Sequence, residues 1–284
     1  MNSRFFQRLA IGGVISWLIV FALIPNLILG GASFFNRNEI SLIHPSLTLH
    51  NYARLLEPAF FNMLVESIFL AAMAMLLCLV VGYPFAYIIA RAPEKVGGMM
   101  LMLVMVPFWT NSLIRVYALI AILKADGLLN MLLLRLGLIS EPLRLMYTST
   151  AVFIGLVYTM LPFMILPLYA AIKRLDFNLL EAARDLGASP VRAFWQVTVP
   201  LTLPGIVAGC MLVFIPALGM FYIPDILGGS RTMLIGNYIR DQFLTSRDLP
   251  MGSAASVMLT LIMGIMLLFY YASVRRSGGR EAEL

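Results

Sequence analysis

The sequence contains few charged residues, which argues against a soluble domain. Of its 284 residues only 12% are Asp, Glu, Lys or Arg, whereas 61% are hydrophobic, and the mean hydropathy is +0.92. A soluble domain carries about twice that charged fraction. A chain this apolar cannot cover itself with polar surface, so we expect lipid to be its solvent.

Cysteine and histidine are also scarce. Cys78 and Cys210 each lie inside an apolar run, which indicates small buried side chains rather than a disulfide. His44 and His50 share one hydrophilic segment with no cysteine nearby, so we predict solvated loop histidines and no metal site. The net charge of +6 is spread along the loops without a basic run that interleaves aromatics, so no nucleic-acid partner is predicted.

Motifs that would carry chemistry are missing. The chain has no G-x-x-x-x-G-K-[ST] sequence and no Gly-Lys dipeptide, which excludes a P-loop nucleotide site. It also lacks H-E-x-x-H and G-x-S-x-G. We therefore predict no catalytic residues, no cofactor of its own and no enzymatic activity.

Long apolar runs are abundant. A bilayer core about 30 Å thick needs roughly 20 apolar residues for each helix that crosses it. Six runs qualify, at 11–34, 64–90, 99–123, 151–171, 201–227 and 253–272. The predicted fold class is an all-α polytopic membrane protein with six transmembrane helices.

Basic residues at the ends of the runs predict the orientation. Arg4 and Arg8 precede the first run, which is longer than the core of a signal peptide, so we expect it to be retained. Arg91, Lys173-Arg174 and Arg275-Arg276 each directly follow an apolar run. By the positive-inside rule, both termini are expected in the cytoplasm.

The hydrophilic segment 173–200 predicts two short helices joined by a turn. Asp176 is a suitable N-cap, and Leu179, Leu180, Ala183 and Leu186 fall on one helical face. Gly187 is placed to end this first helix, and Ser189-Pro190 to cap and open the next. Taken alone, this pattern also fits an amphipathic connector on the membrane surface.

The spacing of the Glu, Ala, Gly and Pro residues in segment 173–200, hereafter the coupling loop, resembles that of the EAA loop of ABC importer permeases. The resemblance implies a location in the inner membrane of a bacterial cell. Glu181-Ala-Ala183 is followed by Gly187 and then by Val197-x-Val199-Pro200. The resemblance implies a type I importer permease fold in which Glu181, Ala182, Ala183 and Gly187 dock on a separate ATPase dimer. ATP and magnesium would be bound by that ATPase, and the other partners implied are a second permease, a periplasmic binding protein and the bilayer.

Three further stretches narrow the resemblance to the B-type permeases of spermidine/putrescine importers. They are VPFWTNSLIRVY at 106–117, LPFMILPLY at 161–169 and IPALGMFYIPD at 215–225. The resemblance implies import of polyamines by alternating access. Ferric ion, opine, molybdate and sulfate permeases share parts of these motifs and remain alternatives, as does a secondary transporter, although no inverted repeat is visible.

A linear polycation needs carboxylates and aromatic faces along its path. Asp225 follows Phe221 and Tyr222 near the outer end of the fifth run, and Phe221 and Asp225 share a face if the helix continues past Pro224. The alternatives are a helix-end cap for Asp225 and placement of the two rings at the membrane interface.

Other path residues are expected where Pro107 breaks the third run, because broken helices are tolerated where they line a cavity. Trp109 and Asn111 are candidates there, and Arg240 is a candidate gate or docking charge in the last outer segment. Arg115 would repel a polycation, so we expect a structural pairing, with Glu66 as its partner.

The predicted organisation has three parts. Residues 1–58 form the first transmembrane helix and an external segment, residues 59–275 form the permease core with the coupling loop, and residues 276–284 form a cytoplasmic tail.

Overall fold

The computed structural model describes residues 3–37, 46–229 and 233–281. Helices form the regular secondary structure of these residues, and no strand occurs among them. The α-helices are α1 Ser3–Leu18, α2 Ile24–Ala32, α3 His50–Leu55, α4 Pro58–Arg91, α5 Glu94–Met105, α6 Ser112–Leu123, α7 Leu128–Arg135, α8 Ser149–Lys173, α9 Asn178–Asp185, α10 Pro190–Ala193, α11 Val199–Gly219, α12 Ile235–Leu244 and α13 Leu249–Glu281. Sequence predictions that involve His44 or the side chains of Arg4, Arg8, Arg275 and Arg276 lie outside the residues described.

Among the residues described, six helical segments are long and apolar enough to cross a membrane, which confirms the predicted fold class. They are Ala10–Ala32, Pro58–Arg91, Ser112–Arg135, Ser149–Lys173, Pro190–Gly219 and Leu249–Leu268. The third differs from the predicted run at 99–123, because Pro107 separates α5 from α6 and the long apolar stretch continues into α7. The fifth predicted run, 201–227, also differs from the structure, because α11 ends at Gly219.

The chain forms two compact units. The first contains the residues up to Leu64 together with Gly236–Met266, and the second contains Val65–Ile235 and the residues from Leu267 onward. In the first unit, the Asn51 amide donates to the carbonyls of Ser33 and Phe35 at 3.0 and 2.8 Å. These bonds anchor α3 to the end of α2.

The core of the second unit is built around α8, which packs along α11. Glycines on α11 permit the close approach: a Cβ on Gly205 would lie 2.8 Å from the Pro167 carbonyl oxygen, and one on Gly209 would lie 2.7 Å from the Met164 sulfur. Among the described residues of this unit, buried apolar side chains form the following clusters. One joins α4, α6 and α8 to residues 223–234, and another joins α4, α8 and α11.

Candidate functional site

The coupling loop folds into the predicted helix, turn and helix. The predicted N-cap, Asp176, was wrong by one residue, because α9 begins at Asn178 and Phe177 is its N-cap. The Asp176 carboxylate still accepts from the Asn178 amide at 3.0 Å, and its carbonyl accepts from the Leu179 amide at 3.2 Å. Ser189 caps α10 by accepting from the Arg192 amide at 3.3 Å, and Pro190 occupies the first helical position. Local side-chain chemistry thus determines both helix starts.

Gly187 ends α9 in the left-handed conformation, with φ +85°. Its amide donates to the Arg184 carbonyl at 2.8 Å, and the Ala188 amide donates to the Ala183 carbonyl at 3.0 Å. This pair of bonds is the Schellman motif, which satisfies two of the last helical carbonyls. The predicted role of Gly187 as the helix terminator is therefore confirmed.

One face of α9 faces inward and the rest faces outward. Leu180 is 7% exposed, whereas Glu181 and Ala182 are exposed and Ala183 is half-buried. The predicted apolar face was wrong at Leu179 and Leu186, which are 47% and 89% exposed, and α9 ends one residue before Leu186. The loop consequently presents a carboxylate, small residues and an apolar side chain at its surface.

The third apolar run is interrupted at residues 106–111, hereafter the first break. A 3₁₀ turn, Val106–Trp109, follows α5, and Thr110 is extended. The Asn111 side chain then accepts from the Leu113 amide at 2.8 Å and caps α6. Trp109 is 74% exposed. The predicted break at Pro107 is confirmed, and it leaves Trp109 and Asn111 at the surface of the chain.

Arg115 lies one turn into α6 and is buried, with 7% of its surface exposed. Its guanidinium carbon lies 5.6 Å from the ring centroid of Phe108, which itself packs edge-to-face on Phe163 of α8. The expected pairing with Glu66 was wrong: no ion pair joins the two among the described residues, and Glu66 is exposed. Aromatic stacking within the chain takes the place of a carboxylate.

The second break follows α11, where Met220 is extended with ψ 127°. The chain re-enters a helical turn at once, and the Asp225 amide donates to the Phe221 carbonyl at 3.1 Å. The turn widens to a π-helical turn at Pro224–Gly228. Phe221 and Asp225 therefore share one short helical segment that is separate from α11.

The predicted aromatic and acidic residues meet in this segment. The rings of Phe221 and Tyr222 are 6.1 Å apart in an edge-to-face arrangement. Asp225 is exposed, Phe221 is 40% exposed and Tyr222 is half-buried. This short segment thus carries one carboxylate and two aromatic rings, which are the groups that suit an organic cation.

Buried neighbours hold the two breaks in place. Ile223 and Leu227, which flank Asp225, pack in the same apolar cluster as Val116 and Leu119 of α6. The Tyr147 amide also donates to the Leu227 carbonyl at 2.8 Å. One cluster thus fixes the start of α6 and the acidic segment in the same part of the second unit.

Arg240 belongs to α12 in the first unit and is half-buried. Its guanidinium donates to the adjacent Asp241 carboxylate at 2.7 and 3.0 Å. Two residues earlier, Tyr238 packs edge-to-face on Phe60 at 5.5 Å. Burial raises the pKa of the Tyr238 phenol, so this ring stays neutral at physiological pH.

Sequence reasoning missed the residues that attach the coupling loop to α4. It treated Arg91 only as a basic residue that ends a span, and it did not single out Tyr83. Arg91 in fact stacks on Phe177, and the Tyr83 hydroxyl lies 2.9 Å from that of Thr202. The periodicity of a fully apolar helix carries no signal for such contacts, because every face of it is hydrophobic.

Comparison with known proteins identifies the family. Residues 82–280 match the family model of the binding-protein-dependent transport system inner membrane component. The chain belongs to this family. It is therefore a permease of the inner membrane.

One relative of this permease is the spermidine/putrescine transport system permease protein PotB of Salmonella typhimurium strain SL1344. The two are 52% identical over 274 residues, which cover 96% of each chain.

Two solved structures share the fold. One is of a bacterial ABC transporter involved in the import of the acidic polysaccharide alginate, with a TM-score of 0.78 at 17% identity over 96% of both chains. The other is of a bacterial alginate ABC transporter in complex with an alginate pentasaccharide-bound periplasmic protein. Its TM-score is 0.74 at 16% identity, over 96% of this chain and 94% of that one.

Proposed function

We propose that this permease imports polyamines, with spermidine and putrescine as the cargo. The observation that carries the proposal is the 52% identity to a spermidine/putrescine permease over nearly the whole chain. The placement of Asp225 beside Phe221 and Tyr222 supports it, because a carboxylate with aromatic faces suits an ammonium group. An exposed carboxylate at this position would repel anionic cargo such as sulfate or molybdate.

The transport cycle is alternating access driven by a separate ATPase. The coupling loop docks on an ATPase dimer through Glu181, Ala182 and Ala183, and Gly187 keeps the turn that shapes this surface. ATP and magnesium bind to that partner. The exposed Leu186 supports this docking, because an apolar side chain that is 89% exposed on a polar loop is suited to burial against another protein.

A second permease completes the pore, and a periplasmic binding protein delivers the polyamine. Both termini and the coupling loop lie in the cytoplasm. Within the path, Asp225 binds a substrate ammonium, Phe221 and Tyr222 provide cation–π contacts, and Trp109 and Asn111 line the wall at the first break. Arg240 acts at the outer side as a gate or docking charge.

The test is co-purification followed by transport. The tagged permease, isolated in mild detergent with its neighbouring subunits co-expressed, should retain an ATPase and a second permease. Proteoliposomes that contain this complex should import radiolabelled spermidine and putrescine when the binding protein and ATP are supplied. Import of an anion or of a ferric complex instead would contradict the proposed polyamine cargo, while the assignment to the permease family would stand.

A further inference from the structure

Arg91, the last residue of α4, connects this helix to the start of the coupling loop. Its guanidinium carbon lies 5.6 Å from the ring centroid of Tyr87 on the same helix and 5.1 Å from that of Phe177. The guanidinium also donates to the Tyr87 hydroxyl at 3.3 Å. Phe177 directly precedes α9, and its carbonyl accepts from the amides of Leu180 and Glu181. Arg91 thus stacks on the residue that directly precedes α9.

Tyr83, two turns earlier on α4, reaches the other end of the coupling loop. Its ring packs edge-to-face on Phe194 at 5.5 Å, and its hydroxyl lies 2.9 Å from that of Thr202. Because the Thr202 hydroxyl donates to the Thr198 carbonyl at 2.8 Å, the Tyr83 hydroxyl is the donor in the bond between them. Phe194–Thr198 is a π-helical turn between α10 and α11, so α4 contacts the loop on both sides of its exposed surface.

The helix α4 is in turn joined tightly to α5. The chain reverses at Ala92-Pro93, and a Cβ on Gly97 would lie 2.8 Å from the Ile89 carbonyl oxygen, so only glycine permits this approach of the two helices. The helix α5 then ends at Met105 and leads directly into the first break, where Trp109 and Asn111 lie. Met100, Leu101 and Val104 of α5 pack against the same apolar cluster as Ala86 and Ile89 of α4. The α4–α5 hairpin therefore extends from the coupling loop to the first break.

We infer that the α4–α5 hairpin transmits the displacement of the coupling loop to the first break, with Arg91 and Tyr83 as the positioning residues that attach the hairpin to the loop. This inference rests on the proposed docking of the loop on an ATPase. Along the chain, the loop is continuous only with α8 and α11. The hairpin is a third connection, and since side chains alone make it, single substitutions can weaken it while the helices stay intact.

The quantity to measure is the number of polyamine molecules imported per ATP hydrolysed, in proteoliposomes that contain the complete importer. Arg91→Gln removes the cation, and Phe177→Leu removes the ring while keeping an apolar side chain. Each should lower this ratio about two- to fivefold, as the loss of one exposed cation–π contact implies. The double variant should be no worse than either single variant, because both remove the same interaction. Arg91→Lys keeps a cation and should therefore have a higher ratio than Arg91→Gln. Tyr83→Phe keeps the ring and removes only the hydroxyl bonded to Thr202, and it should also have a lower ratio than the wild type.

Arg135→Gln is the matched control. It removes the same charge at the end of α7, outside the coupling loop, and no cation–π contact involves that guanidinium among the described residues. Its ratio should equal that of the wild type. The ratio of polyamine imported to ATP hydrolysed does not depend on how much complex assembles. If Phe177→Leu assembles too weakly to be assayed, the comparison of Arg91→Gln with Arg91→Lys tests the inference.

Unchanged ratios in Arg91→Gln and Phe177→Leu would overturn the inference, as would effects that multiply in the double variant. Failure of the proposed function is separate from this outcome. It would be seen in the wild-type importer itself, as absence of polyamine uptake or of a bound ATPase.

Discussion

Asp225 and the aromatic residues Phe221 and Tyr222 lie directly after the end of α11. The helical bond from the Asp225 amide to the Phe221 carbonyl holds the carboxylate in register with these rings. Ile223 and Leu227 are fully buried, so the segment that carries Asp225 cannot turn freely. At the residue scale, the carboxylate proposed to bind the cargo is therefore carried by a segment that is fixed in the core.

Substituting Asp225→Asn should reduce polyamine uptake sharply while preserving ATP hydrolysis in the absence of cargo. A hydrogen bond to a charged group contributes about 1.5–3 kcal/mol, so affinity along the path should fall about tenfold to hundredfold. Tyr222→Ala should have a milder effect. Uptake of radiolabelled spermidine and basal ATPase activity are the measurements. Asp126→Asn, which neutralises an exposed carboxylate paired with Lys124, is the control and should transport normally. Normal uptake by Asp225→Asn would leave Asp225 as a helix cap.

Asn111 has a structural task that can be separated from a role in the path. Asn111→Ala removes the cap of α6 and should destabilise the permease by about 0.5–2 kcal/mol. Asn111→Ser retains a capping oxygen and should recover that stability, which thermal unfolding in detergent can follow. If Asn111 also contacts cargo, Asn111→Ser will remain impaired in uptake. Full uptake by Asn111→Ser would limit Asn111 to capping.

Helix interruptions and tight helix contacts carry the functional argument at the scale of elements. Two breaks divide what the apolar runs suggest are continuous spans, and both flank the same apolar cluster of the second unit. The turn of the coupling loop requires Gly187 in the left-handed conformation. The close contact of α8 with α11 requires Gly205 and Gly209, where a Cβ would have no room.

Gly187 should tolerate substitution according to backbone conformation rather than size. No atom lies within 4 Å of the position a Cβ would take there, so the penalty comes only from φ +85°. Gly187→Val should abolish uptake with the permease still inserted in the membrane, whereas Gly187→Asn should retain part of the activity, because Asn adopts this conformation more readily. Gly264→Ala, at an equally open helical position, is the control. Equal uptake by the Val and Asn variants would contradict this account.

Gly205 should be sensitive to size instead. Gly205→Ala places a methyl group against Ala171 and within 2.8 Å of the Pro167 carbonyl oxygen, so α8 and α11 must separate. Overpacking of this kind typically costs about 1–3 kcal/mol, and the thermal midpoint of the purified permease should fall. Gly264→Ala again serves as the control. An unchanged midpoint for Gly205→Ala would show that the two helices can separate without loss.

Topology is the property of the whole molecule on which the ATPase contact depends. In a background with Cys78 and Cys210 replaced by Ala, single cysteines at Ser46 and Glu141 should react with an impermeant thiol reagent added outside intact cells. A cysteine at Ser189 should react only after the membrane is opened. Labelling of Ser189 from outside would invert the orientation and exclude docking of the coupling loop on a cytoplasmic ATPase.

Several features of this permease follow from the sequence alone. The length and apolarity of the runs determine six spans, because a lipid solvent requires hydrogen-bonded backbone in apolar helices. Asp176, Gly187, Ser189 and Pro190 determine the shape of the coupling loop, since caps and left-handed turns act within a few residues. The break at Pro107 was also predicted, because proline removes a donor from a helix. Proline alone does not decide where a helix ends, however, since Pro84, Pro162, Pro167, Pro204 and Pro216 lie inside continuous helices.

Only the tertiary structure decided which residues meet across the sequence. The stacking of Arg91 on Phe177 and the bond between Tyr83 and Thr202 join residues 86 and 119 positions apart, and no local pattern encodes such pairs. The same limit explains the error at Arg115, for which a carboxylate was expected and an aromatic ring was found. The end of α11 at Gly219 was also missed, because an apolar run continues across an extended residue without any change in composition. Helices in lipid are hydrophobic on every face, so their sequence reports that they span the membrane, while packing alone selects the neighbours.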